Sequence, residues 1–88
     1  MLVDEALPPE ELAAVRAAIE DHGATEVAGF HKLRARRAGS RRYIDLHVQF
    51  RPGTTLERAH EVSHELQAEI RNRVHRADVL IHIEPQRD

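Results

Sequence analysis

The segment His82-Ile83-Glu84 puts an imidazole and a carboxylate two residues apart, the spacing that shares one face of an extended strand. His47 stands in the same relation to Asp45. His31 precedes a basic run, and His60 and His64 sit four residues apart in an apolar-striped stretch that reads as a helix. Neutral imidazole is the commonest protein metal ligand. Several imidazoles joined by a carboxylate are a donor set for a borderline cation such as Zn²⁺. The chain carries seven histidines and no cysteine, so any such site is built from nitrogen and oxygen alone.

His60-Glu61-Val62-Ser63-His64 also matches H-E-x-x-H, which in zinc metalloproteases supplies two ligands and a general-base glutamate. A small zinc hydrolase is therefore a remote alternative. It would need a third ligand and a substrate cleft, for which 88 residues leave little room. Arg34, Arg36, Arg37, Arg41 and Arg42 cluster where a hairpin tip is expected. They read as a solvated tip, open to pairing with acids of a neighbouring subunit, rather than a phosphate-binding patch, because no aromatic residues interleave them for base stacking. His22 and His75 fall at helix ends, where a cation is favoured.

The elements that must position these residues follow from pattern. Leu7-Pro8-Pro9-Glu10-Glu11 opens a helix, and Gly23 follows His22 as its stop. Residues from about 26 to 37 read as extended, although the alternation is poor and the face of His31 is not readable. Ala38-Gly39-Ser40 is a tight connection to a second strand, Arg41 to Phe50. That strand alternates cleanly: Ile44, Leu46, Val48 and Phe50 on one face, Tyr43, Asp45, His47 and Gln49 on the other. Thr54 and Glu57 resemble a capping box ahead of a longer helix striped by Leu56, Ala59, Val62, Leu66, Ile70 and Val74. A third strand, Ala77 to Glu84, directs Val79, Ile81 and Ile83 one way and Leu80, His82 and Glu84 the other. The order αββαβ predicts an α+β open sandwich, two helices on one face of a three-stranded sheet.

Composition narrows the classes. A chain of 88 residues with 41% hydrophobic and 32% charged residues is one small globular domain, not a disordered segment. Its aromatic residues are only Phe30, Tyr43 and Phe50, so the core rests on aliphatic side chains, and dimerisation or metal would reinforce it. A net charge of −2 argues against nucleic acid as a partner. Lack of cysteine excludes a disulfide framework and thiol chemistry. No stretch approaches the ~20 apolar residues of a membrane span, and no signal peptide is evident, so cytoplasmic exposure is expected.

Taken in order, His31-Lys32-Leu33-Arg34-Ala35-Arg36-Arg37-Ala38-Gly39, Tyr43-Ile44-Asp45-Leu46-His47-Val48, Ala59-His60-Glu61-Val62 and Ala77-Asp78-Val79-Leu80-Ile81-His82-Ile83-Glu84-Pro85 resemble the cytoplasmic C-terminal domain of the cation diffusion facilitator family of metal efflux transporters. The resemblance runs from about Leu7 to Pro85. It implies a metallochaperone-like (ferredoxin-like) αββαβ fold, a homodimer, and regulatory metal ions near the subunit interface. Transport itself belongs to a separate membrane domain of the same chain, expected in the cell inner membrane. The family's cytoplasmic ligands fall on His31, His47, His60, His82 and Glu84. The last often carries a shorter Asp, and His64, where Asp is frequent, is a candidate further ligand. The ion implied is divalent, Zn²⁺ first, with Co, Ni, Fe, Mn and Cd carriers sharing the domain.

The expectation is therefore that residues 1–88, with a core of about 7–85, form one cytoplasmic metal-binding regulatory domain of a divalent-cation efflux transporter. It would dimerise and have no catalysis of its own. A free-standing cytoplasmic metal chaperone or buffer of the same fold is the alternative.

Overall fold

The computed structural model describes residues 4–87. These form β1 (Asp4–Ala6), α1 (Pro9–His22), β2 (Val27–Ala38), β3 (Arg41–Phe50), α2 (Leu56–Arg73) and β4 (Ala77–Pro85). The sheet runs β1-β2-β3-β4, antiparallel except for the parallel β3–β4 pair, which α2 connects. The αββαβ open sandwich expected from pattern is present. The three-residue β1 is an addition to the expected sheet. It pairs with the tip end of β2, Asp4 against Ala38 and Ala6 against Arg36, and so occupies backbone groups that an edge strand leaves open. Three residues ahead of a proline are too few to show an alternation that sequence could reveal.

β3 is the spine of the sheet. Ile44, Leu46, Val48 and Phe50 are all buried, as the alternation requires, and Val79 of β4 joins them. Val15, Ala18 and Ile19 of α1 and Ala59, Val62, Leu66 and Ile70 of α2 close the core from one side. Both helices therefore cover a single face of the sheet, and the face bearing Asp45 and His47 stays free of them. α1 stops at Gly23 in the left-handed conformation (φ 68°), which costs a glycine nothing sterically.

Two details of α2 differ from the sequence reading. Its N-cap is Thr55, whose hydroxyl accepts from the Arg58 N–H at 3.0 Å. Thr54 instead donates to the Arg51 carbonyl at 2.8 Å, so the expected Thr54–Glu57 capping box does not form. Leu56, placed in the apolar stripe by its period, is 78% exposed, because the first turn of α2 overhangs the end of the core.

Three of the hairpin arginines have partners within the chain. Arg41 pairs with Asp78 at 2.6 Å and Arg42 with Glu11 at 2.8 Å, while the Arg36 guanidinium lies 4.9 Å from the centre of the Tyr43 ring. These pairs, made within one chain, tie the tip to β4 and α1.

Candidate metal centre

β2 carries the device that builds the site. Val27, Phe30, Leu33 and Ala35 all pack toward the core, a spacing no regular strand allows. Register explains it. Val27 opposes Phe50 and Gly29 opposes Gln49, so β2 spends one extra residue there; between His31, opposite His47, and Arg34, opposite Asp45, it spends another. The second irregularity holds Lys32 at φ 52°, a conformation rare for a side chain with a β-carbon. In a regular strand His31 would share the core-facing side of Leu33 and Ala35. The bulge at Lys32 turns it onto the open face. The poor alternation of this strand is thus the trace of two bulges, and a strained backbone next to a polar cluster is a common sign of function.

His31, His47 and His82 are register partners across β2, β3 and β4, forming a row on the open face. Glu84 lies beside the row. One carboxylate oxygen accepts from His31 Nε2, and the other lies 3.0 Å from His47 Nδ1. Partial burial raises the Glu84 carboxyl pKa, but the two histidine hydrogen bonds outweigh it and hold the group below the ordinary carboxylate range. A carboxylate kept ionised between two imidazoles is chemically prepared for a cation. Ligand atoms of His31, His47 and Glu84 all lie within 4.8 Å of one another.

Asp45, not among the ligands expected from sequence, forms a second group with His47 and His82 under the same 4.8 Å limit. Its Oδ1 is 3.0 Å from His82 Nε2, and the His47 and His82 rings stack at 4.3 Å and 17°. The signal that would have found Asp45 was its two-residue spacing from His47, the same relation that singled out His82 and Glu84. The donors fit a borderline divalent cation: neutral imidazoles and carboxylates, three per group, without thiolates.

His60 and His64 stand elsewhere. Both are exposed on α2, with Nε2 atoms 3.2 Å apart, and neither joins the sheet-face groups. Glu61, the would-be general base of the H-E-x-x-H match, is held by Arg58 at 2.9 Å. No third histidine or carboxylate completes a metal-binding group with His60 and His64 among the described residues. His22, read as a helix-end residue, links α1 to α2 through Glu65 at 2.8 Å.

The model of the cation efflux protein cytoplasmic domain matches residues 7–86. The chain belongs to this family. Among curated relatives, the cation-efflux pump FieF of Pectobacterium atrosepticum is 36% identical over 84 residues, covering 96% of this chain and 27% of its own length. Metal tolerance protein C1 of Arabidopsis thaliana is 39% identical over 85 residues, covering 96% of this chain and 18% of its own. The chain thus spans about a quarter or less of such relatives. Solved structures agree in fold. The Zn form of CzrB superposes with a TM-score of 0.82 at 33% identity, covering 96% of this chain and 94% of that one. The metal-bound C-terminal domain of the CzcD transporter from Thermotoga maritima gives 0.77 at 26% identity, covering 90% and 94%. The cation efflux domain described here is therefore a cytoplasmic domain, and among its described residues no helix is long and apolar enough to cross a membrane.

Proposed function

We propose that this cation efflux domain is the metal-sensing, dimerising regulatory module of a divalent-cation exporter, with zinc as its principal ion and no catalysis of its own. The observation that carries the reading is the carboxylate of Glu84 held between His31 and His47 on a face the helices leave open. Support for zinc comes from its likeness to the Zn form of CzrB. Residues 1–88 are read as one C-terminal cytoplasmic domain whose polypeptide also contains the membrane part, in the inner membrane. The relatives' greater length supports that arrangement.

His31, His47, His82 and Glu84 are the ligands within one subunit. Each sheet-face group offers three donors, one fewer than a closed four-coordinate zinc site. His60, with His64 beside it, lies on the helix layer and can add a donor only from a second copy of the chain. An ion bound better in one placement of two subunits stabilises that placement, and this linkage would carry cytoplasmic metal concentration to the membrane domain.

The subunit fold needs no ion, since its aliphatic core is continuous without one. Zinc should therefore leave the circular dichroism spectrum almost unchanged while narrowing the distance between subunits. The chain has no cysteine, so one introduced at the exposed Asn72 of α2 carries a single spin label per subunit. The inter-subunit distance distribution should sharpen and shorten on adding zinc. The effect should fade as pH falls through the range in which imidazole protonates, because ligand nitrogens must be bare. A monomer at every concentration, or a distribution unmoved by bound zinc, overturns the regulatory mechanism.

A further inference from the structure

Phe30 and Leu33 of β2 both pack against the core, and Phe30 lies opposite Val48. A regular strand that sends both inward has one outward residue between them, opposite His47. Two residues stand there, His31 and Lys32. They compete for a single place on the open face. His31 holds it, level with His47 and in contact with Glu84. Lys32 is the extra residue, exposed, and it absorbs the added length with a left-handed backbone at φ 52°. Moving the bulge by one residue exchanges the two. Lys32 would then stand opposite His47, and His31 would become the extra residue. Phe30 and Leu33 keep their inward places in both arrangements, so the core does not choose between them.

We infer that Lys32 is a positioning residue for the metal centre: the readiness of residue 32 to take the left-handed backbone decides whether His31 occupies the place opposite His47. The inference rests on the metal-sensing reading above and names what sets the affinity of that centre. With His31 displaced, its group keeps only His47 and Glu84. An ion that binds only the His31 arrangement has an apparent affinity scaled by the fraction of molecules holding it. By the same linkage, the bound ion draws the bulge to Lys32. Glycine takes the left-handed conformation without steric cost, and asparagine visits it routinely. A β-branched residue there is an outlier and favours the extended strand. The left-handed penalty of an ordinary side chain corresponds to a factor of about 5–30 in an equilibrium. Residue 32 therefore tunes metal affinity through the backbone, without donating an atom to the ion.

Cobalt(II) titration by calorimetry and visible absorption tests this role in Lys32→Val, Lys32→Gly and Lys32→Asn, with circular dichroism to show that each variant folds. All three remove the ammonium group, so a loss confined to valine reports the backbone and not the charge. Glycine and asparagine should bind within about threefold of wild type, and valine about 5–30-fold more weakly. Lys32→Thr repeats the test with a second β-branched side chain. In a His31→Ala background, Lys32→Val should cause no further loss, because the residue it acts through is gone. The metal-free protein gives an independent readout. The His31 and His47 rings meet edge to face with centres 5.6 Å apart. The nuclear Overhauser contact between their protons should persist in wild type and the glycine variant and fade in the valine variant. Equal affinities in all variants, an equal loss in all of them, or an undiminished ring contact with valine overturns the positioning role and leaves the Glu84 centre standing. A wild type that takes up no cobalt, with the ring contacts as expected, overturns the metal-sensing reading alone.

Discussion

Replacing Glu84 with alanine should weaken zinc binding by at least about a hundredfold, since even outer-shell partners of metal ligands cost 10–100-fold when removed. Glu84 contacts two members of the histidine row, one through each oxygen. Its loss removes the anionic donor of that group and leaves His31 and His47 without the acceptor that orients their rings. The fold should survive, because the carboxylate sits on the open face, 25% exposed, and contributes nothing to the core. Calorimetric titration with zinc measures the loss, and unchanged circular dichroism shows it is local. Affinity within about threefold of wild type, well below that outer-shell cost, contradicts the assignment of Glu84.

Leu66→Ala should produce the largest loss of stability. Leu66 is completely buried where α2 meets the sheet. Truncating such a residue costs about 2–5 kcal/mol, through lost burial and the cavity left behind. A chain of 88 residues has a total stability of only about 4–13 kcal/mol at the usual per-residue scale. The melting temperature should fall by roughly 8–40 °C, at 4–8 °C per kcal/mol for a domain of this size. Thermal unfolding at fixed protein concentration measures it, since dimerisation makes the midpoint concentration-dependent. A fall of less than about 4 °C, the shift expected of a single kcal/mol, would contradict the placement of Leu66 in the core. The opposite case is Leu56, which shares the helical period but stands 78% exposed. Its truncation to alanine should stay within about 0.5 kcal/mol, as surface changes do.

That contrast shows where sequence reading works and where it stops. β3 was legible throughout because its alternation is unbroken and both its faces have work: an aliphatic row inward, Asp45 and His47 outward. The helix α2 was legible except at its first turn, where period alone cannot tell a core end from an overhang. β2 was not legible, for a physical reason. Each bulge shifts the inward parity by one residue, so Val27, Phe30, Leu33 and Ala35 follow no single period. The face of His31 depends on the backbone at Lys32, which no side-chain pattern announces. The register that sets His31, His47 and His82 level is likewise a property of strand pairing, invisible along any one segment. Spacing alone did put His82 and Glu84 on one face, and the same rule applied to Asp45 and His47 would have added Asp45. The additional strand β1 lay beyond reach, being only three residues long.

The central claim is that the open face of the sheet, around Glu84, holds the regulatory ion. The measurement that tests it most directly is an anomalous difference map from crystals of the zinc-loaded protein, collected on either side of the zinc absorption edge. The account predicts a peak within coordination distance, about 2.0–2.2 Å, of His31, His47 and Glu84. Zinc found only at His60 and His64 on α2, or at scattered surface carboxylates with the histidine row empty, would contradict it.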